Sequence, residues 1–313
     1  MKKTFFAITL IATSLFISCK KEKQVTNQPT EISKSNSSEN SFAKEFNLTL
    51  SENRLVFKTV DDYKKAIDNP TEEVAKKFKF AVNNFTNFKS YLSFKNSKKI
   101  KNTDDLFNDP YFEAILNSDK VVQIGNFIYR INPLSQKVFV LPSKNSSEYN
   151  DLVNENTNNS NIKVYSTGDN VLELVENNTV AKSTALFCGE GGIGGYADGV
   201  DFSYNNQNRR AAVDFNRYGI YFSLFARIWP STGSSEFTFD FNGTLGYIHY
   251  HVRCGSTADY GTLSGGNQNG NGEQRYQSYQ GSTNLNNMFF AFTPRANSTN
   301  TTLSRMVVIR ANW

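Results

Sequence analysis

From Tyr218 to Trp229 the even positions, Tyr218, Ile220, Phe222, Leu224, Ala226 and Ile228, are all apolar. A period of two is the mark of a strand whose successive side chains point to opposite faces, so the run reads as one long strand. The alternation recurs at Glu236 to Asn242, where Phe237, Phe239 and Phe241 interleave with Thr238, Asp240 and Asn242. It returns at Tyr247 to Cys254, with Ile248, Tyr250, Val252 and Cys254 on one face and Tyr247, His249, His251 and Arg253 on the other. Phe289 to Phe292 and Met306 to Trp313 add further strands, separated by Asn-, Gly- and Ser-rich turns. This pattern predicts an all-β antiparallel sandwich or small barrel over 181–313. The terminal Trp313 would also suit an outer-membrane barrel, but that needs about eight or more strands of membrane length, and these are fewer and uneven.

Upstream, short elements alternate. Leu55-Val56-Phe57 reads as a strand. Thr59 then supplies a helix N-cap, with Asp62 three residues on in the place of a capping-box glutamate. Asn69-Pro70-Thr71 ends that helix and opens another, in which Val74, Phe78 and Val82 share a face. A third helix fits Thr103 to Leu116, with Asp104 and Asp105 where the dipole favours them. Val121 to Ile131 and Lys137 to Leu141 are β-rich runs joined by Asn132 to Gln136, a hairpin. The result is a small α+β domain over 42–180, whose aromatics Phe78, Phe80, Phe85, Phe88 and Tyr91 read as core.

Composition sharpens that division. Residues 1–180 hold 22 lysines but only Arg54 and Arg130, whereas 181–313 hold nine arginines and the single Lys182. The formal charge is +5, with Lys2 and Lys3 contributing part of it. So weak a basic balance gives no support for a nucleic-acid partner. No internal repeat of solenoid or propeller period is present.

The N-terminus has an order of its own. Lys2 and Lys3 precede the apolar run Phe5 to Phe16, which is too short to cross a membrane as a helix. The run ends at Ile17-Ser18-Cys19, which resembles the lipobox of bacterial lipoproteins, apart from Phe16 where leucine or valine is commoner. That resemblance implies a signal peptide over 1–18 and lipidation of Cys19, with a palmitate-type anchor at the outer membrane. A lipid-modified cysteine holds a protein to a bilayer without a transmembrane span. Residues 19–41 are rich in Lys, Glu, Ser, Asn and Thr and read as a disordered tether. A second likeness lies downstream. The stretch Asp109-Pro110, Ile115-Leu116-Asn117, Val122-Gln123-Ile124-Gly125 and Ile128-Tyr129 resembles uncharacterised surface lipoproteins of Bacteroidota. It implies lineage and export, and carries over no functional residue.

Candidate chemistry is sparse. Gly189-Glu190-Gly191-Gly192-Ile193-Gly194 formally satisfies a dinucleotide motif, but Gly195-Tyr196-Ala197-Asp198-Gly199 is not the helix start which that motif requires, so no cofactor is expected. His249 and His251 are the two histidines. A strand puts both on one face, a weak candidate for a metal, with Arg253 beside them to repel it. Cys188 and Cys254 are two thiols of an exported chain, which favours a disulfide. The odd face of the first long strand carries Tyr221, Phe225 and Trp229, with Arg227 between the last two. Exposed, that row is a stacking platform for sugar rings; covered, it is core. The Asn/Gln/Tyr-rich segment Asn267 to Gln280 would supply hydrogen bonds to a sugar. No nucleophile–base pair or paired-acid motif stands out. The reading is therefore a lipid-anchored, non-catalytic envelope protein binding a glycan or other surface ligand through its β-domain. One alternative is an interaction subunit of an envelope complex, and a second is a hydrolase using carboxylates such as Glu190, Asp198, Asp240 and Glu273.

Overall fold

The first sheet is buried on both faces at its centre, where the strand Lys137–Pro142 carries the continuous apolar run Val138 to Leu141. A computed structural model describes residues 43–177, 199–204, 207–230, 240–249, 259–265, 274–295 and 307–312. The sheet takes β1 (Leu48–Ser51), β2 (Arg54–Phe57), β3 (Val121–Ile124), β4 (Phe127–Asn132), β5 (Lys137–Pro142) and β6 (Lys163–Ser166), in that spatial order. All neighbours are antiparallel except β2 and β3, which run parallel. A parallel pair needs a long crossover. Here it is a helical run: α1 (Val60–Ile67), α2 (Glu72–Asn83), α3 (Tyr91–Lys98), α4 (Asn102–Asp105) and α5 (Pro110–Ile115).

On one face of the sheet, Val122, Ile124, Tyr129, Ile131, Val138 and Val140 pack into the core that the crossover helices cover. On the other, Val121, Ile128, Phe139 and Leu141 meet Leu152 of α6 (Tyr149–Val153) and Ile162. α7 (Val171–Glu176) adds Val171, Leu172 and Val175 to the larger core. The expected helix N-caps are present: Thr59 accepts from Asp62 N, and Thr71 from Val74 N.

Two expectations for this part need correction. The helix expected over Thr103 to Leu116 is two short helices, because Leu106 turns left-handed at φ 59° and Asp109-Pro110 starts a new N-terminus. The run Val121 to Ile131 is two strands, since Gly125 takes φ 56° and turns the chain. Asn154 to Asn161 is a partly exposed loop that folds back on two carboxylates. Glu148 accepts from Asn145, Asn159 and Asn161, and Asp151 from Asn156 and Asn159.

The remaining strands form two four-stranded antiparallel sheets. One has the order β12 (Gln274–Gly281), β9 (Phe222–Pro230), β8 (Gln207–Arg217), β7 (Gly199–Tyr204). The other has the order β11 (Asp259–Gly265), β10 (Asp240–His249), β13 (Leu285–Arg295), β14 (Val307–Asn312). Strand β8 touches β13 and β14, and among the described residues no sheet closes into a barrel. Mixed helices and sheets are thus the architecture. The two alternating runs around Phe241 and Tyr247 belong to one strand: Asn242-Gly243 continues β10 rather than turning, paired throughout with β13.

Residues Ser37–Trp313 form one compact unit. Its two halves are joined by two turns. The expected strand over Tyr218 to Trp229 begins only at Phe222; Tyr218 to Tyr221 are instead the tip of the β8–β9 hairpin, closed by Tyr218 N–H on Tyr221 O at 2.9 Å. That tip lies in the core of the first half, with Tyr218, Ile220 and Tyr221 at most 2% exposed. Gly219 takes φ 76° there, and a Cβ would sit 2.6 Å from Val138 Cγ2 and 2.9 Å from Val171 Cγ2. Only glycine suits both the conformation and the space. The second turn, between β12 and β13, is held by polar pairs. Asp68 accepts from Ser282 N at 2.7 Å, Asn170 from Asn284 N at 2.7 Å, and Asn69 exchanges two hydrogen bonds with Gln280.

Candidate functional site

Two places in the first half gather side chains unusually: an open apolar groove and a closed polar seam. The groove follows from how three helices begin. Thr71 caps α2 and Ser90 caps α3, its hydroxyl accepting from Ser93 N; Asp109 caps α5, accepting from Tyr111 N and Phe112 N. These caps leave 84–90 as a tight connector, with Phe88 N–H bonded to Phe85 O at 2.8 Å. The connector cannot lie flat on α2, and a recess of about 530 Å³ opens between α2, α3 and α5. Phe78, Val82 and Tyr111 form its floor, and Phe85, Phe88 and Leu92 its half-exposed walls. Its volume and apolar lining are those of small-molecule sites, about 300–1,000 Å³. Tyr111 spends its hydroxyl on Ala66 O at 2.6 Å. The charged groups at its rim, Glu72, Lys76 and Lys79, all belong to α2.

The seam lies beneath α3 and α5. Lys95 is 4% exposed and donates to Phe107 O at 2.8 Å, Glu113 Oε1 at 3.2 Å and Asp105 Oδ1 at 3.3 Å. Asp105 also accepts a short hydrogen bond from Tyr91 and one from Phe107 N. Burial pushes the Glu113 carboxyl above the usual carboxylate range, with Lys95 opposing the shift. Burial also pulls Lys120 below the usual lysine range; its ammonium sits 5.1 Å from the Tyr91 ring centroid. Asp109 binds the two α5 amides through one oxygen and the Tyr221 hydroxyl, at 2.9 Å, through the other. Phe112 stacks on Tyr221 at 4.6 Å and on Tyr218 at 5.1 Å. The acids and Lys95 are engaged with one another and shielded from solvent, an arrangement that orders this part of the core.

The residues expected to make a sugar platform separate. Tyr221 is wholly buried in the seam and Phe225 is 6% exposed. The first half covers the row at its start, so Tyr221 and Phe225 are core rather than platform. Arg227 and Trp229 lie further along β9, opposite Ala212 and Arg210 of β8. His249 ends β10 at a break in its register with β13, and His251 lies outside the described residues. Cys19, Cys188, Cys254, Glu190, Asp198 and Glu273 also lie outside them, while Asp240 opens β10. Within Asn267 to Gln280, residues from Gln274 on are strand β12 rather than loop. Among the described residues, no group of His, Cys, Asp and Glu is arranged to hold a metal ion, and no helix is long and apolar enough to cross a membrane. No family model matches the chain, and no curated protein or solved structure matches it either.

The groove was not foreseen. Its aromatics belong to the core as the sequence suggests, with Phe78 buried and Phe85 and Phe88 packed against it, and the signal that a recess lies beside them is the connector. Phe85-Thr86-Asn87-Phe88 places two aromatics in a non-helical segment, and both pack against the core while staying partly exposed.

Proposed function

We propose that this chain is a lipid-anchored protein of the cell envelope, held at the outer membrane through Cys19, that acts by binding rather than by catalysis. The short apolar run before Ser18-Cys19, the polar stretch after it and the likeness to Bacteroidota surface lipoproteins support the anchor. An α+β part over 42–180 followed by a β-sandwich over 181–313 is the matching domain reading, supported by the contacts of β8 with β13 and β14. The observation that carries the binding function is the groove, where Phe85, Phe88 and Leu92 stay partly exposed around a concave apolar floor. Apolar surface left to water is unfavourable, and a recess lined with it is a natural seat for a ligand.

An interaction subunit of an envelope complex is the second reading, favoured by the same apolar lining. A glycan ligand now rests on Trp229 and Arg227 and no longer on the whole row. Two measurements test the proposal. Cells fed labelled palmitate should incorporate it into the protein, and Cys19→Ala should abolish the label and release the protein from the membrane fraction. An environment-sensitive apolar dye should light up on the native protein and dim by severalfold with Phe88→Ser. An unlabelled protein would sink the anchor; a dye response indifferent to Phe88 would sink the groove as the binding site.

A further inference from the structure

The polar groups of the groove are unevenly spent. Tyr111 donates to Ala66 O, and the Ser90 hydroxyl is taken up by Ser93, accepting from its amide at 3.2 Å and donating to its hydroxyl at 3.1 Å. Asn83 and Thr86 line the groove only at its exposed edge. The floor and walls at Phe78, Val82, Phe88 and Leu92 therefore offer a sugar or a peptide backbone few of the hydrogen-bond partners it needs in a dry site. The rim differs. Lys76 and Lys79 stand one helical turn apart, and residues three apart share a helix face. Lys76 is paired with Glu72 at 2.6 Å, with both side chains mostly exposed. Such a pair holds weakly and yields readily to a better anion. Among the described residues, two cations and one carboxylate leave the rim with a single positive charge in excess, next to a trough whose floor is apolar.

We propose that the groove binds a single-chain anionic amphiphile, with its acyl chain along Phe78, Val82, Phe88 and Leu92 and its head at Lys76 and Lys79. This inference rests on the groove being the binding site, as proposed above. The shared chemistry is one alkyl chain and one negative charge, met both by a free long-chain carboxylate and by the phosphate of a single-chain phospholipid.

The test uses the full chain reconstituted in phosphatidylcholine vesicles and irradiated with a diazirine-bearing palmitate, with adducts mapped by mass spectrometry. Adducts should concentrate on 75–92, and unlabelled palmitate should compete them away. Lysophosphatidylglycerol in place of palmitate as competitor distinguishes the two sources. Lys76→Gln with Lys79→Gln, both exposed and harmless to folding, should weaken competition by palmitate about five- to tenfold, as expected for exposed ion pairs. A matching diazirine hexadecanol should label the groove weakly and be indifferent to the lysine changes. Ala75→Trp, which fills the trough, should abolish the adducts while circular dichroism stays native. Equal labelling by alcohol and carboxylate would overturn the anionic head while leaving the apolar groove in place. Adducts scattered over the chain for both probes would overturn the amphiphile. A dye response still lost with Phe88→Ser would then show that the groove itself survives as a site.

Discussion

The seam and the groove are a few residues apart in the same helices and are finished differently. In the seam, Phe107 and Phe112 are covered by the aromatic tip of a hairpin, and the polar atoms beside them find partners across the junction. In the groove, Phe85 and Phe88 come from the connector before α3; they rest partly buried against the core, and among the described residues nothing covers their outer side. The contrast separates two uses of aromatic residues: where a segment packs on them the surface becomes structure, and where none of the described residues does it stays available.

The strongest way to break this comparison is to remove the charge that neutralises the seam. Lys95→Met strands Asp105 and Glu113 in the core and should cost about 3–5 kcal/mol in urea unfolding, the scale for a broken buried pair. Dye binding by the fraction still folded should be unchanged. Gly219→Ala comes next. It forces a side chain onto a left-handed backbone and against Val138 and Val171, for a loss of at least about 1–3 kcal/mol, seen as a lower thermal midpoint. Tyr221→Phe keeps the stack on Phe112 but leaves Asp109 short of a donor, at about 1–3 kcal/mol. A double-mutant cycle with Asp109→Asn should recover part of it.

The pH dependence of the seam is a finer probe. Because Glu113 is raised in the fold, the folded state binds its proton more tightly than the unfolded chain does. Its stabilising contribution is whole below the ordinary glutamate value of about 4.3 and falls away as pH rises through the raised one. Stability of Glu113→Gln, followed by urea titration upward from pH 4, should lack that decline. At the small end, Leu92→Ser in the groove should alter stability by no more than about 0.5 kcal/mol, as for a surface change, yet weaken apolar dye binding. A large loss of stability there would show the groove to be core.

Local signals served well wherever local chemistry decides. Thr59 and Thr71 announced their helices by capping, and the β-rich runs on either side of Asn132 to Gln136 announced the β4–β5 hairpin. The failures share one cause, which is that tertiary partners overrode the local pattern. Tyr218 to Tyr221 continue the alternation of β9 seamlessly, yet the chain turns there because Gly219 permits it and the pocket beside Phe112 rewards it. Asn242-Gly243 looks like a turn and stays extended because β11 and β13 pair with it from both sides. The seam could not be read either, since Asp109 meets Tyr221 across 112 residues, and no spacing rule spans such a gap.

That distance also sets a timetable. A chain made from its N-terminus completes the aromatic socket at Phe107 and Phe112 long before the tip that fills it has been synthesised. Contacts so remote in sequence slow folding, so the first half should remain loose, protease-sensitive and easily threaded until Tyr221 arrives. The hairpin tip then acts as a late latch, and shortening the chain to any point before Tyr218 should leave a socket that never locks.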